Sequence, residues 1–245
     1  MGKPVVVLDP GHGGYDPGAV GFGLKEKDLN LKLALLVAGK LAGIKVLLTR
    51  DVDKFVSLAD RVAFSKQAGA DLFISLHANA GGGRGFESFA CSSLGETSAA
   101  VIMQRNLHEE IMEAIKGYNL VDRGLKRAAF YVLRHNPRPA VLIESLFIDN
   151  EREAALWRDG AFVEDLAGGV ARGVLAALEL PVHETEPSGG PGSPAEELKA
   201  DPPRADSSLY TVQVGAFSYL ENARFRLEEA RMAGFSDAYI YEKRL

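Results

Sequence analysis

Four side chains of types that serve metal-dependent hydrolysis stand at the ends of strand-like segments or at the start of a helical one. His12 follows the first apolar run, Glu26 opens the first helical pattern, and His77 ends a central apolar run. Two imidazoles and one carboxylate suit catalytic zinc, because a fourth coordination position stays open for water. A further carboxylate must then move the proton from that water to the leaving group. Glu144 suits this role, because a carboxylate within an apolar run is costly unless it works or is paired.

Each of these four residues also has a purely structural interpretation. His12 lies between glycines and could be a turn residue, and Glu26 could simply oppose a helix dipole. His77 could be a hydrogen-bonded core histidine, and Glu144 could be a buried carboxylate with a basic partner. Spacing alone does not decide between the two interpretations, because the sequence contains no compact motif of the His-Glu-x-x-His type.

The elements that would position these residues alternate between strand-like and helix-like patterns. Short runs rich in β-branched and aromatic residues predict strands at residues 5–9, 45–50, 72–78, 85–90 and 140–145. Apolar spacing predicts helices at residues 29–41, 98–116 and 162–178, with a further helix start at Ser57. Residues 80–129 are predicted as a strand, one helix and a short loop. This order indicates an α/β domain at residues 1–180, with a mostly parallel central sheet and helices on both faces. In such sheets, sites gather at the carboxyl ends of the strands, so the four residues could converge.

The overall composition argues against two classes of partner. A net charge of −5 disfavours nucleic acid, since phosphate binding needs a basic surface. No uninterrupted apolar run approaches the length of a membrane span, so none is expected. Cys91 is the only cysteine, which rules out an intrachain disulfide. The first residues run into the first strand without a signal-peptide pattern, and we expect a monomer.

The composition changes sharply after residue 180. Residues 181–208 hold six of the chain's 11 prolines and a surplus of acidic side chains. Such a segment buries too little apolar surface to order itself, so we expect a disordered linker. Residues 209–245 then predict a strand at 209–215, a helix at 221–233 and a second strand at 237–242. This β-α-β piece has too little core to be stable alone.

Several motifs in a fixed order make the first domain recognisable. Over residues 5–180 it closely resembles the zinc-dependent N-acetylmuramoyl-L-alanine amidases known as the amidase 3 family. The motifs are Leu8-Asp9-Pro10-Gly11-His12-Gly13-Gly14, Glu26-Lys27-Asp28-Leu29-Asn30-Leu31, Leu48-Thr49-Arg50, Ser57-Leu58 followed by Arg61, Ile74-Ser75-Leu76-His77-Ala78-Asn79-Ala80, Gly85-Phe86-Glu87, Tyr131-Val132-Leu133-Arg134 and Pro139-Ala140-Val141-Leu142-Ile143-Glu144.

The resemblance implies a reaction and a role for each of the four residues. His12, Glu26 and His77 would bind Zn²⁺, and Glu144 would be the catalytic carboxylate. The implied reaction is hydrolysis of the amide between the lactyl group of N-acetylmuramic acid and L-alanine in peptidoglycan, with Glu144 as general base and then general acid. One departure is Leu146, where the family often has glycine. We expect this larger side chain to narrow the cleft beside the metal without abolishing activity.

The roles of other polar residues stay open at the level of sequence. Asp9 could be a partner for a ligand histidine or only the strand-to-turn residue, and Asn79 could orient substrate or cap a turn. Three basic residues could contact peptide-stem carboxylates or lie on a solvated face: Arg123, Lys126 and Arg134. His108 lies in a helical run and is expected to face solvent, and His135 is expected to lie in a loop.

A second resemblance concerns residues 209–245, which are similar to the opening of a SPOR domain. It is carried by Tyr210-Thr211-Val212-Gln213-Val214-Gly215-Ala216-Phe217-Ser218, Glu221-Asn222-Ala223 and Gly234-Phe235. SPOR modules bind glycan strands stripped of peptide stems, but only the first half of one is matched, so we expect weak or no glycan binding. The implied substrate places the enzyme at the bacterial cell wall, outside the cytoplasm. Some amidases that lack a signal peptide and end in SPOR modules lyse a sporulating mother cell, which suggests one route of release.

Overall fold

The computed structural model describes residues 2–179, which contain eight strands, six α-helices and one short 3-10 helix at Lys116–Tyr118. The strands are β1 (Val5–Pro10), β2 (Val20–Gly21), β3 (Leu24–Lys25), β4 (Lys45–Leu48), β5 (Leu72–Asn79), β6 (Phe86–Cys91), β7 (Asp122–Ala128) and β8 (Ala140–Phe147). The helices are α1 (Glu26–Lys40), α2 (Leu58–Ala68), α3 (Ala99–Ile115), α4 (Tyr131–Arg134), α5 (Glu151–Arg158) and α6 (Gly160–Ala177). The predicted linker at 181–208 and the SPOR-like segment at 209–245 lie outside the described residues and stay predictions.

Six of the strands form one sheet in the order β4-β1-β5-β8-β6-β7. The pairs β1–β4, β1–β5, β5–β8 and β6–β7 are parallel, and only β6–β8 is antiparallel among the pairs of this sheet. The remaining two strands, β2 and β3, form a small antiparallel hairpin just before α1. The predicted mostly parallel α/β sheet is therefore confirmed.

The two faces of the sheet are covered unequally. The larger core packs α1, α3 and α6 against one face and includes Leu33, Leu107 and Val170. On the other face a smaller cluster forms around Phe73 and Leu142, and the helices that contribute to it are the short α2 and α4. The predicted helices on both faces are confirmed, but one face is covered by only a few helical turns.

Local signals explain how several elements begin and end. Ser57 caps α2, because its Oγ accepts a hydrogen bond from the Asp60 backbone N–H at 3.1 Å. The same helix ends at Gly69, whose φ of 64° is the left-handed conformation that glycine adopts at low cost. Among the described residues, no helix is long and apolar enough to cross a membrane.

Two predictions about the sheet were wrong. Residues 122–128 form β7 instead of a loop; the sequence hides this strand, because an edge strand can carry polar side chains throughout. Leu146 does not narrow a cleft, because it is fully buried in the larger core. The reason is a β-bulge, in which Ser145 and Leu146 of β8 both oppose Ala78 of β5. The bulge turns Leu146 to the face opposite the one that an uninterrupted pleat would give it.

Gly173 of α6 lies so close to α3 that a single methyl group would collide with it. A Cβ atom at this position would lie 2.9 Å from Leu107 Cα, which is a backbone atom. We therefore expect Gly173→Ala to push the two helices apart and to lower the free energy of unfolding by about 1–3 kcal/mol. Urea denaturation would measure the change.

Gly168→Ala is the matched control for this prediction, because it lies on the same helix away from α3. The nearest atom to a Cβ there would be Arg172 Nη1 at 3.6 Å, the flexible end of a side chain. We expect Gly168→Ala to be neutral or to stabilise by up to about 1 kcal/mol, since alanine favours helix over glycine. Equal destabilisation by both substitutions would contradict the close packing of Gly173.

Candidate active site

His12 lies in a turn that only glycine neighbours permit. A Cβ atom at Gly11 would lie 2.2 Å from His77 Cε1, and one at Gly13 would lie 2.2 Å from the Lys54 carbonyl oxygen. Gly13 has a φ of 129° and His12 itself a φ of 61°, so the chain doubles back directly after β1. The glycines let the backbone of the turn approach His77 at the end of β5. The first histidine is thereby brought beside the second.

Glu26, the first residue of α1, stands between the two histidines. His12 Nε2 lies 3.1 Å from Glu26 Oε2, and His77 Nδ1 lies 2.8 Å from Glu26 Oε1. One ligand atom from each of the three residues lies within 4.8 Å of the others, as in a group that could hold a metal ion. The structure thus brings together the three residues predicted as ligands.

Glu26 and the two imidazoles shift one another's pKa values. Burial lowers the pKa of His12, but its contacts with Glu26 and then Asp16 outweigh burial and raise the pKa to about 9. Burial likewise opposes protonation of His77, yet the hydrogen bond that its Nδ1 donates to Glu26 raises the pKa of this imidazole. Burial would raise the pKa of Glu26, but the two imidazoles hold it far below its ordinary range. Glu26 thus favours positive charge on the two imidazoles, and each imidazole must be neutral before it can bind a metal.

Asp16 orients His12 and is a site residue that the sequence analysis missed. Its Oδ2 lies 2.8 Å from His12 Nδ1, which leaves His12 Nε2 directed at Glu26. A carboxylate on the second ring nitrogen of a ligand histidine fixes the tautomer and raises the basicity of the first nitrogen. The available signal was the presence of a carboxylate four residues after His12 in the same turn.

Asp9 is buried and stabilises the turn that contains His12. Its carboxylate accepts hydrogen bonds from Thr49 Oγ1 at 2.6 Å and Ser75 Oγ at 2.8 Å, and it pairs with Arg61 Nη1 at 2.6 Å. Arg61 in turn donates to the His12 carbonyl oxygen at 2.8 Å. Of the two interpretations left open, Asp9 as a direct partner of a ligand histidine is not supported. It acts on the His12 turn through Arg61.

Glu144 occupies the middle of a row of polar side chains that crosses three strands. In the sheet register it lies directly beside His77 of β5 and directly beside Glu87 of β6. Directly paired residues point to the same face, so the three side chains are neighbours. Glu144 Oε2 is buried and has no hydrogen-bond partner among the described residues. Burial, and then the negative charges of Glu26 and Glu87, raise the pKa of Glu144 to about 7. Such a carboxyl group can accept and donate a proton near neutral pH.

Glu87 continues this row and gathers three of the residues with open roles. Its carboxylate accepts from Asn79 Nδ2 at 2.7 Å and pairs with Arg123 Nε at 2.7 Å and Lys126 Nζ at 2.5 Å. Asn79 also caps its own turn, because its Oδ1 accepts from the Ala80 backbone N–H at 2.8 Å. Glu87 itself was recognised in the sequence only as part of a motif.

Three predictions about the remaining basic residues have different outcomes. Arg134 lies on α4, after the end of β7. Because β6 and β7 are antiparallel to β8, this position is at the end of the sheet where β8 begins, away from Glu144. His135 is exposed just after α4, as expected for a loop residue. The prediction that His108 faces solvent was wrong, because this side chain is buried between Ser88 Oγ at 2.8 Å and Asp122 Oδ1 at 2.9 Å.

Fold and site together define an α/β enzyme whose polar centre lies at the carboxyl ends of β1, β5 and β8. A model of the Amidase_3 family, described as N-acetylmuramoyl-L-alanine amidase, matches residues 6–176. The chain belongs to this family, and its activity is that of an N-acetylmuramoyl-L-alanine amidase acting on peptidoglycan. The predicted membership of residues 5–180 in the amidase 3 family is therefore confirmed.

The most similar relatives include proteins of bacteria and of a phage. The chain is 37% identical over 239 residues to the sporulation-specific N-acetylmuramoyl-L-alanine amidase of Bacillus subtilis, a match that covers 96% of this chain and 84% of that protein. It is 43% identical over 198 residues to the endolysin of Bacillus phage SPP1, covering 76% and 73% of the two chains.

Solved structures of amidases share the fold. The catalytic domain of CwlV, an N-acetylmuramoyl-L-alanine amidase from Bacillus (Paenibacillus) polymyxa, superimposes with a TM-score of 0.68 at 34% identity, covering 73% of this chain and 100% of that domain. The N-acetylmuramoyl-L-alanine amidase of Clostridium difficile 630 also gives a TM-score of 0.68, at 32% identity, and covers 72% of this chain and 97% of that chain.

Asp9→Ala tests the ion pair beneath the His12 turn. The substitution leaves Arg61, which is 3% exposed, without its carboxylate partner. Removal of one member of a buried pair costs about 3–5 kcal/mol, and we expect a loss of this size in urea denaturation. Glu164→Ala is the control, because it removes the exposed partner of Lys40, a surface pair worth less than about 1 kcal/mol. A change below 1 kcal/mol for Asp9→Ala would contradict the structural role of this pair.

Proposed function

We propose that this amidase is zinc-dependent, with His12, Glu26 and His77 as the metal ligands and Glu144 as the catalytic carboxylate. It cleaves the amide between the lactyl group of N-acetylmuramic acid and L-alanine. The observation that carries the proposal is the convergence of two imidazoles and one carboxylate, with ligand atoms within 4.8 Å of one another, beside Glu144, whose Oε2 is buried and has no hydrogen-bond partner within residues 2–179.

The donor set fits zinc better than it fits the common alternatives. Two histidines with one carboxylate are a ligand set of catalytic zinc enzymes, whereas magnesium and calcium prefer oxygen ligands alone. When bound, zinc would acidify a water molecule and polarise the scissile carbonyl group. His12 Nδ1 donates to Asp16 Oδ2, which is the hydrogen bond that ligand histidines generally donate to a carboxylate.

Within this mechanism the protein's own residues move the proton. Glu144 accepts a proton from the attacking water at Oε2, the atom that has no other partner among the described residues. It then donates the proton to the departing L-alanine nitrogen, so one carboxyl group acts first as base and then as acid. A pKa of about 7 suits both steps, because neither protonation state is strongly disfavoured at neutral pH. The products are a lactyl carboxylate on the glycan and a free stem peptide.

The biological setting is also part of the proposal. We place the enzyme outside the cytoplasm at the cell wall, where its substrate lies, and we infer that it acts as a monomer. Similarity to an amidase named as sporulation-specific, over 96% of this chain, supports release from a sporulating mother cell. In this proposal the SPOR-like residues 209–245 contribute at most weak binding to glycan strands without stems.

Glu144→Gln should abolish most of the amidase activity. Glutamine keeps the size of the side chain but cannot accept the proton, so we expect kcat to fall by about 10²- to 10⁴-fold. Mass spectrometry of soluble products from purified peptidoglycan would measure the release of stem peptides beginning at L-alanine. Glu109→Gln, at an exposed position of α3, is the control and should leave the rate unchanged. Full activity in Glu144→Gln, or cuts inside the stem, would refute the assignment.

Metal content gives a test that does not depend on turnover. We expect one zinc ion per chain in the purified protein, and Glu26→Gln should lower zinc affinity by more than about a hundredfold, because a ligand is lost. Asp16→Asn should have a smaller effect, about 10- to 100-fold, because it acts through His12. His135→Ala, at an exposed site, should bind zinc normally. Competition with a chelator would rank the variants, and an unchanged affinity in Glu26→Gln would exclude this site.

A further inference from the structure

Two basic residues of β7, Arg123 and Lys126, lie near the candidate active site because β7 contains a β-bulge at this end of the sheet. Arg123 and Gly124 of β7 both oppose Glu87 of β6, so the register shifts by one residue. Gly124 has a φ of 81°, the left-handed conformation typical of the glycine in such a bulge. Bulges redirect side chains, and here Arg123 reaches the Glu87 carboxylate. The bulge therefore places Arg123 next to the row formed by His77, Glu144 and Glu87.

The Arg123 guanidinium is held in one orientation, but part of its hydrogen-bonding capacity remains available. Its Nε donates to Glu87 at 2.7 Å, its Nη1 reaches the Arg84 carbonyl oxygen at 3.4 Å, and its central carbon lies 5.0 Å from the centre of the Phe147 ring. Within residues 2–179, Nη2 makes no hydrogen bond to the protein, and the side chain is 32% exposed. A fixed guanidinium with a free, accessible edge is suited to bind a carboxylate.

Lys126 places a second positive charge on the same acceptor. Its Nζ lies 2.5 Å from Glu87 Oε2, the oxygen that also pairs with Arg123, and its side chain is 37% exposed. One buried carboxylate is thus matched by two cations, although a single cation would neutralise it. The cluster of Glu87, Arg123 and Lys126 carries one excess positive charge beside Glu144, so an anionic group of the substrate would complete its charge balance.

We propose that Arg123 and Lys126 bind the free α-carboxylate of the second stem residue, D-glutamate. This subsite rests on the proposed cleavage before L-alanine. Adjacent strands are about 4.8 Å apart, so the cations, gathered at Glu87, lie one to two strand spacings from Glu144. An extended peptide covers about 3.3–3.6 Å per residue, which brings the second residue to that distance from the cleaved bond. Glu87 is then a positioning residue that fixes both cations.

Two soluble muropeptides that differ only at the second residue test the subsite. One carries D-glutamate, and the other carries D-isoglutamine, whose amide removes the α-carboxylate charge. We expect the unaltered enzyme to prefer D-glutamate by about ten- to hundredfold in kcat/KM, the range for a hydrogen bond to a charged group. Arg123→Gln should abolish this preference, because it raises KM for D-glutamate more than KM for D-isoglutamine. Lys126→Gln should reduce the preference in part.

Arg134→Gln is the matched control, because this exposed arginine lies at the opposite end of the strands from the candidate active site. Arg123→Lys guards against a folding defect, since it keeps the charge that pairs with Glu87 and should retain part of the preference. Equal losses on both substrates in Arg123→Gln would overturn the subsite, because they would show only a structural role. An unaltered enzyme that cleaves both muropeptides equally would also overturn it and leave the amidase function intact. Failure to cleave either one would refute the proposed function together with the subsite.

Discussion

The site depends on one carboxylate, Glu26, that lies between two histidines. His12 lies in the turn after β1, Glu26 is the first residue of α1, and His77 lies near the end of β5. One buried side chain, Arg50, fixes the position of the start of α1 relative to the first turn. Arg50 donates to the Gly11 carbonyl oxygen at 2.8 Å and to the Lys27 carbonyl oxygen at 2.7 Å, so it ties the turn to the helix. The tie positions Glu26, at the start of α1, relative to the turn that contains His12.

The unequal coverage of the two sheet faces explains why polar groups can accumulate on one of them. The larger core holds the fold together through α1, α3 and α6, so the opposite face does not have to be apolar along its whole length. Near the middle of that face Phe73 and Leu142 pack with α2 and α4, whereas Ser75, His77 and Glu144 follow them along the same strands. The larger core on one face thus provides most of the apolar packing. On the other face, apolar packing lies near the middle and the polar residues of the candidate site lie towards one end.

The sequence could predict this fold and could single out the residues that converge in the candidate site, because each of them lies beside a recognisable local signal. His12 follows an apolar run in a glycine-rich turn, and His77 ends another apolar run, so the topology of a parallel sheet brings them together. The polar strand β7 could not be found, since edge pairing leaves no apolar alternation to detect. The burial of His108 was hidden for a related reason: its partners are Ser88 and Asp122, and the second of these belongs to the undetected strand.

Two β-bulges, one in β8 next to Glu144 and one in β7, determine which side chains face the candidate active site. In an uninterrupted β8, Leu146 would share a face with Glu144 and place an apolar side chain over the site. The bulge at Ser145 and Leu146 instead sends that leucine into the larger core. On the other side, the bulge at Arg123 and Gly124 brings a cation towards Glu87. Each irregularity adds one residue to a strand and thereby changes what faces the substrate, the first by removing an apolar group and the second by adding a charge.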